Sequence, residues 1–315
     1  MHPTFSVIAF TTAAGAGLAL LFLVAIGEPL ALLPPSAWFG VATLGIAFVL
    51  TVGGLVASVF HLGRPERAWR AFSQWRSSWL SREGVLSVAT FVPAAVFAIG
   101  WVIFGARAGG VGFAGFLAAM LAAATVYSTG MIYASLKPIR QWHNPWTAPN
   151  YLLLALMSGF LLLDFVLRFW RVAPVGTASL TFVAIAFAWG AKEAYWRSID
   201  TERAASTVAS ATALGRRGRV RLLEPPHTQD NYLLQEMGYR IARKHRARLR
   251  WVARATLFVL PAVLTLVALF AARAGGEIAA AVAIATAALG LVIERWLFFA
   301  EAQHTVMLYY GAEAV

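Results

Sequence analysis

The sequence predicts an all-α integral membrane protein that crosses the bilayer eight times and has both termini in the cytoplasm. Hydrophobic residues make up 60% of the 315 positions, and the mean hydropathy is +0.69. Soluble domains are only about 45–50% apolar, so the main solvent of this chain is lipid. Eight apolar stretches approach the length of about twenty residues that spans a membrane, and positive charge is concentrated in alternate loops.

These stretches make the whole chain, residues 1–315, a single transmembrane domain. The first stretch is longer than the apolar core of a signal peptide, so we expect it to stay in the mature protein. The first four spans and the sixth contain no Asp, Glu, Lys or Arg. The fifth contains Asp164, and the eighth ends in Glu294 and Arg295. The predicted spans are 5–27, 36–60, 84–106, 110–136, 150–168, 172–191, 255–272 and 278–299.

The distribution of Lys and Arg predicts which side of the membrane each loop occupies. Loops on the side of the termini carry twenty of these residues, and loops on the opposite side carry four, namely Arg107, Arg168, Arg171 and Arg273. Short loops rich in Lys and Arg remain in the cytoplasm, so we expect both termini there. The net charge of +12 lies mostly in these loops, where membrane lipid or an acidic partner would meet it, and we expect no nucleic acid partner.

The longest predicted loop, at about 197–254, is basic and partly amphipathic. Its last part has apolar residues at intervals of three and four, at Leu234, Met237 and Ile241, and Lys and Arg become denser toward the membrane. This period is that of a helix with one apolar face. We therefore predict a cytoplasmic helix that rests on the bilayer surface or binds a partner protein.

The residue types that hold redox centres are missing from the predicted spans. The chain has no cysteine, which excludes thiolate-bound iron–sulfur clusters and Cys-bound zinc within this polypeptide. A haem would need axial histidines that project from helices into the bundle, whereas all histidines lie at predicted helix ends or in loops. We therefore predict no haem. The six histidines are His2, His61, His143, His227, His245 and His304.

The segment 58–85, between the second and third predicted spans, carries the residues best suited to chemistry. Pro65 helps to end the second span just after His61. Imidazole titrates near neutral pH, so His61 at this bend would both hydrogen-bond a quinone oxygen and exchange a proton with it. Glu83, next to Arg82 at the entry to the third span, would relay that proton to or from the cytoplasm.

Each of these residues also has a purely structural interpretation. His61 can cap the last carbonyl groups of the second span, and Glu83 can be stabilised by the dipole of the third. The loop arginines, among them Arg64, suit lipid or partner contacts and set the topology. The combination of a histidine, an acid and arginines at one membrane depth favours a quinone site. In that site His61 and Glu83 transfer protons, and Arg64 and Arg82 are further quinone-binding residues.

A second group of ionisable residues lies near the ends of the sixth and eighth predicted spans, which leave the membrane on the same side. Such residues are costly in lipid unless they are paired or hydrated. Two interpretations are open: a proton-accessible polar cavity, or salt bridges between helices. Asp164 and Arg168, four residues apart near the other face, predict a local ion pair. The residues of the group are Lys192, Glu193, Glu294, Arg295, Glu301 and His304.

Several short motifs make the chain similar to the dimethyl sulfoxide reductase anchor subunit family. They are HLGRP at 61–65, LSRE at 80–83, the opening His2-Pro3 with FTT at 10–12, and ERWLFFAEAQH at 294–304. The resemblance implies a heterotrimer of a molybdopterin catalytic subunit, an iron–sulfur electron-transfer subunit and this anchor, in the bacterial inner membrane. It also implies that ubiquinone or menaquinone is the bound substrate, that His61 and Glu83 are the quinone-site residues, and that iron–sulfur and molybdenum centres belong to the partners.

The segment 58–85 is most similar to the branch of the family that serves cytoplasm-facing, membrane-bound sulfite dehydrogenases. Together with the predicted orientation, this similarity favours a complex that oxidises sulfite and reduces quinone. The alternative within the family is a reductase of dimethyl sulfoxide or a related compound that oxidises menaquinol. Outside the family, one alternative is a secondary transporter, which normally has internal repeats and broken helices that this sequence lacks. Another is a structural anchor in which His61 and Glu83 are dispensable.

Overall fold

The computed structural model of the protein is all-α. It describes residues 4–60, 62–170, 174–201, 206–224 and 241–315, together with residues 226, 229, 231, 234 and 237, but not the side chains of 174, 216, 241–244 and 273. Within these ranges there is no strand, and eight helices are long and apolar enough to cross a membrane. The prediction of an all-α protein with eight spans is confirmed, and the side on which the termini lie stays a prediction.

We number the eight spanning helices α1 to α8. The seventh is a continuous run in which a π-helical turn separates two α-helical segments. The helices are α1 Phe5–Gly27, α2 Ala37–Val59, α3 Trp79–Val102, α4 Gly109–Ala134, α5 Thr147–Phe169, α6 Pro174–Thr201, α7 Ile241–Arg254 with Ala255–Val259 and Leu260–Phe270, and α8 Arg273–Ala300. Shorter helical segments outside them are Pro65–Phe72, Val208–Thr212, Gly215–Arg217 and Thr305–Tyr310.

The eight helices form two neighbouring groups of four. In the first group, α1 packs against α2 and α4, and α3 packs against α4. In the second group, α5 packs against α6 and α8, and α7 packs against the same two helices. The groups meet where α1 and α4 contact α5, and α1 also contacts α8. Fully buried side chains such as Leu20 of α1 and Leu154 of α5 fill these helix contacts.

Small residues let α1 approach its neighbours closely. A Cβ atom on Gly54 of α2 would lie 2.7 Å from the backbone nitrogen of Ala14, and one on Gly17 would lie 2.6 Å from the carbonyl oxygen of Ala47. A Cβ atom on Gly159 of α5 would lie 2.9 Å from the backbone of α1 on its other side. In lipid, helices associate through close van der Waals packing of this kind. These glycines therefore hold α1 between the two groups.

The π-helical turn of α7, at Ala255–Val259, directly precedes the segment that contains Pro261. Proline lacks the N–H that continues an α-helix, and its ring clashes with the preceding turn. A wider turn at this point accommodates the interrupted hydrogen-bond ladder. Gly290 of α8 packs against the same turn, because a Cβ atom there would lie only 2.5 Å from the backbone nitrogen of Leu257.

The predicted spans match the apolar centres of the helices but differ at several ends. α3 begins at Trp79 rather than at 84, because Ser78 caps it by accepting a hydrogen bond from the backbone N–H of Ser81. α6 continues to Thr201, and α7 begins at Ile241, with no break between the helix expected at the membrane surface and the spanning segment. These predicted ends are wrong because hydropathy falls at charged residues, whereas charged residues that pair inside the protein prolong a helix.

Candidate functional site

Glu83 lies in the second turn of α3 and is only 5% exposed. Its carboxylate oxygen Oε1 accepts a hydrogen bond from the hydroxyl of Thr129 on α4. The predicted start of the third span at 84 is wrong, because α3 begins at Trp79, so that Glu83, expected at the entry to this span, lies within the spanning helix. A carboxyl group at this position is costly without a hydrogen-bond partner. Glu83 is therefore the first candidate for a functional residue.

A row of hydroxyl groups continues from Glu83 along the contact between α3 and α4. The Ser87 hydroxyl donates to the backbone carbonyl of Glu83 at 2.7 Å, and the hydroxyls of Thr90 and Thr125 lie 3.5 Å apart. Ser and Thr side chains in a helix satisfy their hydroxyls on the carbonyl four residues back, as Thr90 and Thr125 also do here. They therefore form a polar seam inside an otherwise apolar helix pair.

The seam opens on a small cavity at the interface of the two helix groups. The cavity has a volume of about 20 Å³, close to the space that one water molecule needs. Its wall is formed by residues of α1, α2, α3, α4, α5 and α8. It therefore connects the seam with the second group of helices. Polar residues of the wall include Thr11, Ser87, Thr125, Thr129, Tyr151 and Arg295.

Three charged side chains meet inside the second group. Glu294 of α8 forms salt bridges with Lys192 of α6 and with the adjacent Arg295, the second at 3.2 Å between Oε2 and Nη1. All three residues are at most 2% exposed. The guanidinium carbon of Arg295 also lies 3.8 Å from the ring centre of Tyr151, a cation–π contact. Of the two interpretations left open by the sequence, salt bridging between helices is present at Lys192 and Glu294.

A second ion cluster lies between this one and the protein surface. Arg250 of α7 binds Asp200 of α6 at 2.6 Å and Glu301, the residue after α8, at 2.8 Å. These residues line a polar pocket of about 150 Å³. Burial raises the pKa of Glu301, and the hydrogen bonds from Arg250 oppose that shift. Nearby, Arg254 pairs with Glu193, so both arginines form ion pairs with acids of α6 or of the end of α8.

The loop residues predicted to bind quinone are not gathered around Glu83 in the described part of the chain. His61 lies outside the described residues. The side chain of Arg64 is 69% exposed and lies 3.9 Å from Glu66 on the loop after α2. The structure therefore gives Arg64 no contact inside the bundle.

The side chain of Arg82 points away from that of its neighbour Glu83. Its guanidinium carbon lies 4.3 Å from the ring centre of Trp79, and its nitrogens donate to the backbone carbonyls of Trp75 and Arg76. The side chain thus fastens the loop between α2 and α3 to the start of α3. Successive residues of a helix point about 100° apart, which is why adjacent positions in the sequence do not share this site.

The ion pair predicted at Asp164 and Arg168 is confirmed, with 2.8 Å between Oδ2 and Nη2. Thr177 donates a further hydrogen bond to Asp164 at 3.1 Å, and Arg168 donates to the backbone carbonyl of Ala268 at 2.6 Å. These contacts join α5 to α6 and α7. The pair lies near the ends of α5 and α7, away from the cavity wall.

Two of the described histidines form side-chain hydrogen bonds with the backbone of nearby residues. Nδ1 of His143 lies 2.7 Å from the carbonyl oxygen of Ala134, and Nδ1 of His304 accepts a hydrogen bond from the N–H of Val306 at 3.0 Å. In the part of the chain that the structure describes, no three His, Asp or Glu side chains are grouped as metal ligands. The described histidines therefore give no support for a metal centre.

Several residues of the site carry no prediction from the sequence, among them Thr129, Tyr151 and Arg250. A signal for Arg250 exists, because Arg246, Arg250 and Arg254 recur at intervals of four, the spacing of one helix face. Thr129 and Tyr151 have no comparable local signal. Their roles arise from contacts between helices that are distant in the sequence.

The full length of the chain is similar to known membrane anchor subunits. The family described as DMSO reductase anchor subunit (DmsC) matches residues 1–311. A sulfite dehydrogenase subunit of Allochromatium vinosum is 34% identical over 334 aligned positions, which cover 100% of both chains. Both matches extend through the loop between α2 and α3 and through the ends of α6 and α8, where the candidate residues lie.

Proposed function

Since this chain belongs to the DMSO reductase anchor subunit family, we propose that it exchanges electrons between an iron–sulfur partner subunit and membrane quinone. Family membership makes the chain a multi-pass membrane anchor subunit of a molybdopterin oxidoreductase complex. The chain has no cysteine to hold an iron–sulfur cluster. Electrons must therefore arrive from a cluster in the partner and leave on a diffusible carrier in the lipid.

The buried carboxyl group of Glu83 is the observation that supports quinone chemistry most directly. Reduction of a quinone consumes two electrons and two protons, so its site needs a proton donor at the depth of the membrane. Glu83 is such a group within a spanning helix, with Thr129 as its hydrogen-bond partner. An isolated buried acid costs stability, which is a reason to expect that it serves the reaction.

His61 and Arg64, from the loop between α2 and α3, and Arg82, from the first turn of α3, complete the proposed site. His61 is two positions beyond the end of α2, and Glu83 is four positions into α3. The connection over residues 60–78 therefore joins the two proton-transferring residues in the chain. In this proposal Arg64 on that connection and Arg82 in the first turn of α3 lie outside the buried pocket of Glu83 and provide positive charge for the polar headgroup of an arriving quinone.

Sulfite is the electron source that we assign to the complex. The relative from Allochromatium vinosum belongs to a sulfite dehydrogenase, and the charge bias of the loops favours a cytoplasmic location of the proposed site and of both termini in a bacterial cell. The molybdopterin and iron–sulfur partners would dock on this cytoplasmic face of the inner membrane. Electrons would then pass from sulfite through the partners to the quinone.

Replacement of the two proton-transferring residues tests this function. We expect His61→Leu and Glu83→Gln to leave the complex assembled and its turnover with a soluble artificial dye unchanged. Turnover with quinone should fall about 100-fold or more, the lower range of general acid–base catalysis, and Glu83→Gln should shift its pH profile. The matched control is Glu66→Gln, an exposed acid on the same loop, which should change neither activity. Wild-type quinone turnover in both variants would contradict the proposal.

A further inference from the structure

A continuous set of polar groups leads from the cavity beside Glu83 into the second helix group. Thr129, Tyr151 and Arg295 all contribute to the cavity wall. Thr129 is the hydrogen-bond donor to Glu83 on one side, and Arg295 is the ion-pair partner of Glu294 on the other. The cavity therefore lies between the hydrogen-bond partner of the acid in the first group and the ion-pair partner of the acid in the second.

The same set continues from Glu294 toward the surface. Glu294 pairs with Lys192, and Glu301 lies close enough to Lys192 and Tyr195 to act on both electrostatically. Glu301 shares Arg250 with Asp200, whose side chain is 42% exposed. The polar pocket at Arg250 and Glu301 thus connects the buried cluster with solvent.

The cost of this arrangement argues that it serves more than helix packing. A buried ion pair usually contributes little net stability compared with apolar residues of the same volume, and small and apolar residues are sufficient to pack α1 against α2 and α5. In addition, the buried Nε of Arg295 has no hydrogen-bond partner among the described residues. Buried polar groups of this kind are normally satisfied by ordered water, and the adjacent cavity has room for one molecule.

We propose that this set of groups is the proton path that supplies Glu83, an inference that rests on the function proposed above. Protons enter at the pocket formed by Asp200, Arg250 and Glu301 and are carried inward by Glu294. A water molecule in the cavity passes them to the Thr129 hydroxyl and so to Glu83. Lys192 and Arg295 stay charged and stabilise the carboxylate of Glu294 whenever it has released its proton.

The reaction balances with one proton for each electron. The iron–sulfur partner supplies two electrons, the two quinone oxygens take up two protons, and the product is quinol. Each proton that Glu83 gives to a quinone oxygen is replaced by one from the path. Because the path begins and ends on the side of the membrane where α6 and α8 end and α3 begins, it carries no net charge across the bilayer.

Substitution of Glu294 in the complete complex tests the path. We expect Glu294→Gln to lower sulfite-driven reduction of a short-chain quinone about tenfold or more, while turnover with the artificial dye is unchanged. The solvent deuterium isotope effect on quinone turnover should increase, since proton delivery becomes the slow step. The matched control is Asp164→Asn, which also removes a buried, arginine-paired acid of the second group but lies off the path. It should leave turnover and isotope effect at wild-type values.

A double variant removes the risk that an unpaired Lys192 disturbs folding. Lys192→Met combined with Glu294→Gln removes both charges of that pair, and Arg295, which also loses Glu294, keeps its cation–π contact with Tyr151. We expect this variant to assemble and to show the same loss of quinone turnover. Wild-type quinone turnover and isotope effect in either assembled variant would overturn the path, as would an equal loss of dye turnover. If Glu83→Gln lowers quinone turnover while the Glu294 variants keep wild-type turnover, the proton path is contradicted but the proposed function is not. If Glu83→Gln also keeps wild-type turnover, the proposed function is contradicted as well.

Discussion

Thr129 decides how Glu83 presents its carboxyl group. Both side chains are buried, and the Thr129 hydroxyl is the hydrogen-bond partner that the structure gives to the carboxylate. A buried acceptor that loses its partner is destabilised by about 1–3 kcal/mol. The position of the acid, and therefore its competence in proton transfer, depends on a residue that lies on another helix.

We predict that Thr129→Val lowers quinone-linked turnover about tenfold, because valine keeps the shape of threonine and removes the donor. A tenfold change corresponds to about 1.4 kcal/mol, within the range expected for the lost hydrogen bond. Thr129→Ser should restore most of the activity, since it restores the hydroxyl. The measurement is quinone-linked against dye-linked turnover of the purified complex.

Thr43 provides the control for this prediction. It is a buried threonine of α2 whose hydroxyl donates to the carbonyl of Phe39 at 2.8 Å, and it has no contact with Glu83. Thr43→Val should therefore leave quinone turnover unchanged. Equal effects of the two valine variants, or no rescue by Thr129→Ser, would show that Thr129 acts only through packing.

At the scale of the helices, the close approach of α1 and α2 rests on individual glycines. Gly53 and Gly54 are neighbours on α2, but only Gly54 faces α1, where a Cβ atom would lie 2.7 Å from the backbone of Ala14. A Cβ atom on Gly53 would have no heavy atom within 4 Å. The two positions therefore separate the effect of helix contact from the effect of helix propensity.

We predict that Gly54→Ala destabilises the protein by about 1–3 kcal/mol, the usual cost of forcing an extra carbon into a packed contact. Gly53→Ala should be neutral or stabilising by up to about 1 kcal/mol, because alanine favours the helix. Thermal unfolding of the detergent-purified complex measures both. Equal stabilities of the two variants would mean that α1 and α2 are not packed as closely as described.

The apolar centres of the helices could be predicted from the sequence, whereas several helix ends could not. Spans such as α1 are mostly apolar and contain no Asp, Glu, Lys or Arg, so hydropathy identifies them without knowledge of their neighbours. The prediction ends the sixth span at 191, just before Lys192, because charge opposes burial in lipid. In the folded protein Lys192 pairs with Glu294 on α8, and this compensation depends on a contact between residues that are far apart in the chain.

Most of the candidate site could likewise not be predicted from the sequence, because it depends on contacts between distant helices. Glu83 could be singled out because its motif, LSRE at 80–83, lies in the same segment of the sequence, 58–85, as the HLGRP motif that contains His61. The cavity wall alone combines residues of six helices, and the ionic cluster adds Lys192 of α6, so no single segment contains their pattern. The ion pair of Asp164 and Arg168, by contrast, could be predicted from the sequence, because its members are four residues apart on α5.

The whole molecule has two distinct sides, and the candidate residues are near one of them. The loop between α2 and α3, the beginning of α5 and the ends of α6 and α8 lie on one side of the bundle, since alternate connections of a multi-pass chain share a side. The charge bias predicts that this side is cytoplasmic. Under our proposal, the partner subunits, the quinone site and the entry of the proton path are all on that side.

The proposed passage of electrons from cytoplasmic sulfite oxidation through the anchor to membrane quinone can be followed in sealed membrane vesicles that contain the complete complex. The measurement is the rate of quinone reduction after sulfite is added to the outer solution, in inside-out and right-side-out vesicles. We predict rapid reduction in inside-out vesicles, little in right-side-out vesicles, and little in inside-out vesicles that carry Glu83→Gln. Reduction confined to right-side-out vesicles, or none in either type with the complex intact, would contradict the account.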